Sequence, residues 1–147
     1  MPMRATLLAG LAMMALSCPS AFAGGAVVHV ELQDATGDGG ASTMHMILDH
    51  ASVKAGEVSF RVMNESKTLV HEMLVLPTGQ DPTALPYDPK KDVFLEDRVK
   101  SLGEVEELQP GKPGELTLTL KPGPYLLACN QPGHFHAGMW AKFTVTP

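Results

Sequence analysis

A chain of 147 residues has room for one hydrophobic core and not for two independent ones. Its 16 acidic residues outnumber 11 basic ones, for a formal net charge of −5, which argues against nucleic acid and anionic lipid as partners.

The chain opens with the anatomy of a secretory leader. Met1 to Arg4 is a short positive start, Ala5 to Leu16 is apolar, and Ala21-Phe22-Ala23 has the small-x-small pattern of a leader-peptidase site. The apolar run is too short to span a bilayer permanently. Residues 1–23 are therefore expected to be a signal peptide and 24–147 one exported domain in the periplasm. A lipoprotein signal acylated at Cys18 is the alternative, which Ala15-Leu16-Ser17 before it and Pro19 after it disfavour. Cleavage leaves Cys129 as the one thiol, so no internal disulfide can form. An odd cysteine in an oxidising compartment points to intermolecular pairing or a special thiol, and a bound metal is one way to protect it.

Short segments of strand character follow, separated by Gly and Pro. Val27 to Gln33 precedes a Gly/Asp turn at 37–40, and Thr43 to Leu48 is the second strand. A turn at 53–57 leads into Val58 to Met63, where Val58, Phe60 and Val62 share a face. After polar residues 64–67 a strand runs from Leu69 to Leu76. Residues 78–111 lose the alternation and carry many charges, prolines and glycines. A loop this long is usually functional or contains structure of its own. Leu95, Val99 and Leu102 fall at helical spacing and predict a short helix near 91–102. Alternation returns at Glu115 to Leu120, then at Tyr125 to Cys129 after Pro122-Gly123-Pro124, and finally at Trp140 to Thr146. About seven short strands predict an all-β, two-sheet antiparallel sandwich with one long insertion.

The chemistry lies between the last two strands. Cys129-Asn130-Gln131-Pro132-Gly133-His134-Phe135-His136-Ala137-Gly138-Met139 presents a thiolate, an imidazole and a thioether as C-x4-H-x4-M. Soft sulfur with imidazole suits copper, and two histidines, a cysteine and a weak axial methionine mark electron-transfer copper sites. Cys129 shares parity with Tyr125 and Leu127, and Met139 with Ala141, Phe143 and Val145, so both sulfurs can point into the end of the sandwich. The second imidazole must come from another strand. His71, in an apolar strand and with the parity of Met73 and Val75, is the best candidate, although a lone histidine there is more often a core residue.

In these features the sequence resembles the cupredoxins, the small blue copper proteins. The resemblance covers nearly all of 24–147, and the ligand-loop spacing is most similar to that of rusticyanin and auracyanin. It implies a Greek-key sandwich with a mononuclear type 1 copper, held by His71, Cys129 and His134 as equatorial ligands and Met139 as the axial one. Two departures stand out. Glu72 occupies the place where many members carry an Asn that ties the two ligand loops, although its backbone N–H can still reach the Cys129 sulfur. The insertion is also longer than the usual connection.

Other residues compete for roles. His136 is a rival ligand two places after His134, and Met44-His45-Met46 adds copper-compatible side chains, but in a strand these alternate between faces. A single cysteine on the loop excludes a dinuclear copper centre, and a thioether is an unusual zinc ligand. A Cys-His nucleophile pair is formally present but has no acidic residue to orient it, so an enzyme is not expected. Two functions remain. One is single-electron transfer to a cytochrome or oxidase by a monomer docking through Pro132, Phe135, Gly138 and Trp140 around His134. The other is copper handling for tolerance, with delivery to a copper-accepting protein.

Overall fold

The structure is a computed structural model that describes residues 25–34 and 44–147. The leader with Cys18 and the turn at 37–40 lie outside the described residues. Among those described, no helix is long and apolar enough to cross a membrane.

Two sheets pack face to face. The first has the order β2-β1-β4-β9, from β1 (Ala26–Gln33), β2 (His45–Leu48), β4 (Gly56–Asn64) and β9 (Pro113–Leu120). The second has the order β3-β11-β10-β5-β8, from β3 (Ser52–Lys54), β5 (His71–Leu76), β8 (Glu104–Leu108), β10 (Gly123–Ala128) and β11 (Trp140–Thr146). All seven expected strands are present, and β3 and β8 extend the second sheet. Pairing is mostly antiparallel, but β1 runs parallel to β4 and β3 parallel to β11, so both sheets are mixed.

The first sheet alternates as a one-sided sheet must. Val28, Val30 and Leu32 of β1 and Val58, Phe60 and Val62 of β4 are buried, while His29, Glu31 and Arg61 face solvent. They meet Met73, Val75, Tyr125, Leu127, Phe143 and Val145 of the second sheet in the inner core. Phe60 and Phe143 cross edge to face at 5.4 Å and 68°, a contact worth about 1 kcal/mol beyond area burial.

The second sheet is different, because β5 and β10 are buried on both faces. Leu74, Leu76, Leu126 and Ala128 point away from the inner core into a second cluster with Leu85, Phe94 and Phe135. The insertion supplies its cover. It holds a 3-10 turn at Pro82–Ala84, the two-residue strands β6 (Tyr87–Asp88) and β7 (Val93–Phe94), and a 3-10 turn at Glu96–Arg98. The helix expected near 91–102 is therefore reduced to that one turn. Asp92 takes a left-handed backbone (φ 59°) and Val93–Phe94 pairs as strand. Val99 packs in the outer core while Leu102 packs in the inner one, so the helical spacing of these residues reflects no common face.

A buried asparagine closes the sandwich at the end near His71. Asn64 donates from Nδ2 to the carbonyls of Leu69 (2.9 Å) and Leu108 (2.8 Å) and accepts from the Ser66 N–H (2.9 Å). The Ser66 hydroxyl in turn accepts from the N–H groups of Thr68 and Leu69. These side-chain bonds take the place of ladder bonds over 65–70, so the strand expected from Leu69 begins only at His71. Opposite, Gly114 of β9 lies so close to β8 that a Cβ there would collide with Val105 and come within 2.9 Å of Leu108 Cδ2.

Candidate metal centre

His71, Cys129 and His134 converge. Their donor atoms all lie within 4.8 Å of one another. The Nδ1 atoms of His71 and His134 are 3.1 Å apart, and the Cys129 sulfur is 3.5 Å from His134 Nδ1. A first-row metal bound at about 2.0 Å by nitrogen and about 2.3 Å by sulfur spaces its donors about 3–4 Å apart. The three groups thus fit one shared ion of the soft-and-imidazole class, and their trigonal set is that of a single type 1 copper site.

The loop that carries two of these donors is a run of tight turns. His134 N–H donates to Gln131 O (2.9 Å), Ala137 N–H to Gly133 O (2.9 Å) and Met139 N–H to His134 O (3.0 Å). Cys129 N–H then donates to Met139 O (3.0 Å), which closes the loop on itself. Gly133 (φ 83°) and Gly138 (φ 96°) make the two left-handed reversals this path requires. Met139 is fully buried in the inner core with Cys129. His136 is not part of the cluster. It is exposed, stacks on Tyr87 at 4.1 Å and bonds Asp92 through Nδ1 (2.9 Å).

The loop is held from both sides. Glu72 ties β5 to the ligand loop: Oε1 accepts from the Asn130 N–H (3.0 Å) and Oε2 from Gln131 Nε2 (3.0 Å). Burial holds its carboxyl above the ordinary range, opposed by those two bonds. From the other side, Asn130 accepts the Phe94 N–H (2.8 Å) and donates to Phe94 O (3.0 Å) and Glu96 Oε1 (2.7 Å). Gly133 N–H donates to Asp92 O (2.8 Å). The insertion thus braces the ligand loop.

Electrostatics favour a metal over a nucleophile. Burial pushes the Cys129 thiol up to about 12, against the lowering effect of the Glu72 and Gln131 N–H groups at the sulfur. A thiol that holds its proton so firmly in a site with no exposed sulfur is a poor nucleophile, whereas a metal ion displaces the proton. Burial, and then the His71 imidazole, push His134 below the usual histidine range, which keeps it neutral and able to ligate. An acidic partner for a histidine does exist, contrary to expectation. Asp34 Oδ1 bonds His71 Nε2 at 2.8 Å. Its parity with Val28, Val30 and Leu32 was the available signal, a carboxylate continuing an inward-facing set.

The anticipated docking patch is altered. Pro132 is exposed and Gly138 and Trp140 are half-buried, but Phe135 is turned into the outer core, edge to face with Phe94 at 5.2 Å. His134 is the one member of the cluster with surface, at 9% exposure against zero for His71 and Cys129.

No protein-family model matches the sequence, and comparison with curated proteins gives no match. Solved structures do match. Auracyanin from Roseiflexus castenholzii is 23% identical with a TM-score of 0.56, over 84% of this chain and all of that one. Auracyanin A, a "blue" copper protein from Chloroflexus aurantiacus, is 22% identical with a TM-score of 0.53, over 81% and 98%. Rusticyanin from Thiobacillus ferrooxidans is 19% identical with a TM-score of 0.52, over 82% and 78%. The fold is that of the cupredoxins.

Proposed function

We propose that this protein is a blue copper carrier of single electrons. His71, Cys129 and His134 are the equatorial ligands of one copper ion and Met139 is its axial ligand. The observation that carries this reading is the buried cluster of three donors, assembled with spacings that suit one ion. Bound copper supplies a one-electron couple between Cu(I) and Cu(II). The chain's part is to hold the donors in one geometry for both states. Glu72 and Asn130 grip the loop immediately after Cys129, so little has to move when the charge changes.

The edge of His134 is the natural port for the electron, since His71 and Cys129 are sealed. A shallow groove lined by Leu85, Tyr87, His136 and Trp140 lies alongside the same loop and suits a small transient contact. We place the partner, a cytochrome or oxidase, on this face, and the protein in the periplasm after cleavage near Ala23. Copper storage draws little support from Met44-His45-Met46, because Met46 is in the core and His45 faces solvent.

The test is a visible spectrum of the Cu(II) protein with metal analysis. One copper per chain and an intense thiolate-to-copper band, absent in Cys129→Ser, are expected. Met139→Leu should shift the reduction potential while keeping the band. A colourless wild-type protein, or more than one tightly bound copper, would overturn the reading.

A further inference from the structure

We propose that Asp34 is a positioning residue of the metal centre, a carboxylate that fixes the tautomer of His71 and strengthens its donation to the ion. The proposal rests on the copper reading above.

The geometry is a relay of three groups. His71 is completely buried, with Nδ1 turned to His134 and the cluster, and Nε2 turned to Asp34 Oδ1 at 2.8 Å. An ionised carboxylate can only accept, so His71 Nε2 carries the proton and Nδ1 keeps its lone pair for the metal. The carboxylate is itself oriented. Its second oxygen, Oδ2, accepts the Ser66 hydroxyl at 2.6 Å, and that hydroxyl is fixed by accepting from the Thr68 and Leu69 N–H groups at 3.0 and 2.7 Å. Asp34 therefore joins the end of β1 to the loop that delivers His71 to the site. One-third of its side chain remains exposed, so the charge keeps part of its hydration while one oxygen works inward.

Hydrogen-bonded carboxylates of this kind orient a ligating imidazole and raise its basicity, and losing one typically weakens metal binding by about 10- to 100-fold. A more basic imidazole favours the higher charge of Cu(II) over Cu(I). Asp34 should therefore lower the reduction potential of the centre relative to a site with a neutral acceptor at His71.

Asp34→Asn tests the charge and Asp34→Ala the tautomer, each compared with wild type. In D34N the side-chain carbonyl can still accept from Nε2, so the tautomer stays and the negative charge goes. Cu(II) affinity should fall about tenfold relative to Cu(I), a rise in potential of about 59 mV for one electron. In D34A, long-range 15N–1H NMR of the metal-free protein should show His71 losing its Nε2–H tautomer. Ser66→Ala, which frees the carboxylate without removing it, should shift the potential in the same direction by less; if D34A does not fold, the potential of D34N carries the test. Wild-type potential in D34N, or an unchanged His71 tautomer in folded D34A, would overturn the role of Asp34 while leaving the blue band and the copper reading intact. A wild-type chain that binds no copper would sink both together.

Discussion

The two hydrophobic cores of this protein are built in different ways. The inner core is made by period-two alternation: β1, β4 and β9 each offer one face, and Phe60, at its centre, touches Phe143 across the gap. The outer core is covered without a large facing sheet among the described residues. Loops, two 3-10 turns and a two-stranded hairpin cover the far side of β5 and β10, with Phe94 and Phe135 at its centre. The two cores serve different ends. The inner one holds the sandwich together. The outer one clamps the strands that lead to the donors, and its residues bond directly to the ligand loop.

The largest expected effect is on stability, from Phe60→Ala. Truncating a fully buried Phe costs about 4 kcal/mol, read as a shift in urea midpoint. Because Phe60 has no part in the bracing of the loop, the copper band of the folded fraction should keep its position and width. Phe94→Ala should cost less, about 3 kcal/mol, since loops can collapse into part of the space. It should nevertheless broaden the copper EPR and visible spectra, because the partner of Asn130 has moved. An unperturbed spectrum in F94A would break the distinction between the two cores.

Asn130→Ala sharpens the same contrast. It leaves the Phe94 N–H and carbonyl without their partner, at about 2 kcal/mol, and spectral heterogeneity should exceed the stability loss in importance. The smallest effect belongs to the exposed edge of the outer core. The Tyr87 hydroxyl bonds Asp92, and this bond, aided by His136 against the opposing effect of desolvation, holds the Asp92 carboxyl below the ordinary range. A lowered native value stabilises the fold above the usual carboxylate range and is lost as pH falls through the lowered one. Asp92→Asn keeps a residue suited to φ 59°. It should lower the melting temperature slightly at neutral pH, where that contribution is present, and converge with the wild type in acid, so that the acid side of the profile is flatter.

What was legible in the sequence follows the same division. Strands of the inner core could be read because burial on one face imposes a period, and the parity of Cys129 and Met139 placed both residues in that core. His71 was readable as the odd polar member of an inward set. The insertion was not. Leu85, Phe94 and Val99 owe their burial to tertiary contacts with β5 and β10, which leave no period in the local sequence, and the spacing of Val99 and Leu102 imitated a helix. Glu72 and Asp34 were visible as charges but their partners were not, because a hydrogen bond between residues 58 or 37 positions apart has no signature along the chain.

Gly114 supplies no donor to the metal centre, yet the seam it allows between β9 and β8 reaches that centre in two steps. Leu108 of β8 pairs with His71 and gives its carbonyl to Asn64. Adding a single methyl group at 114 would wedge that seam open against Val105 and Leu108. A survey of colourless variants should therefore turn up alanine at 114, a lesion far from the copper in chemistry though not in mechanics.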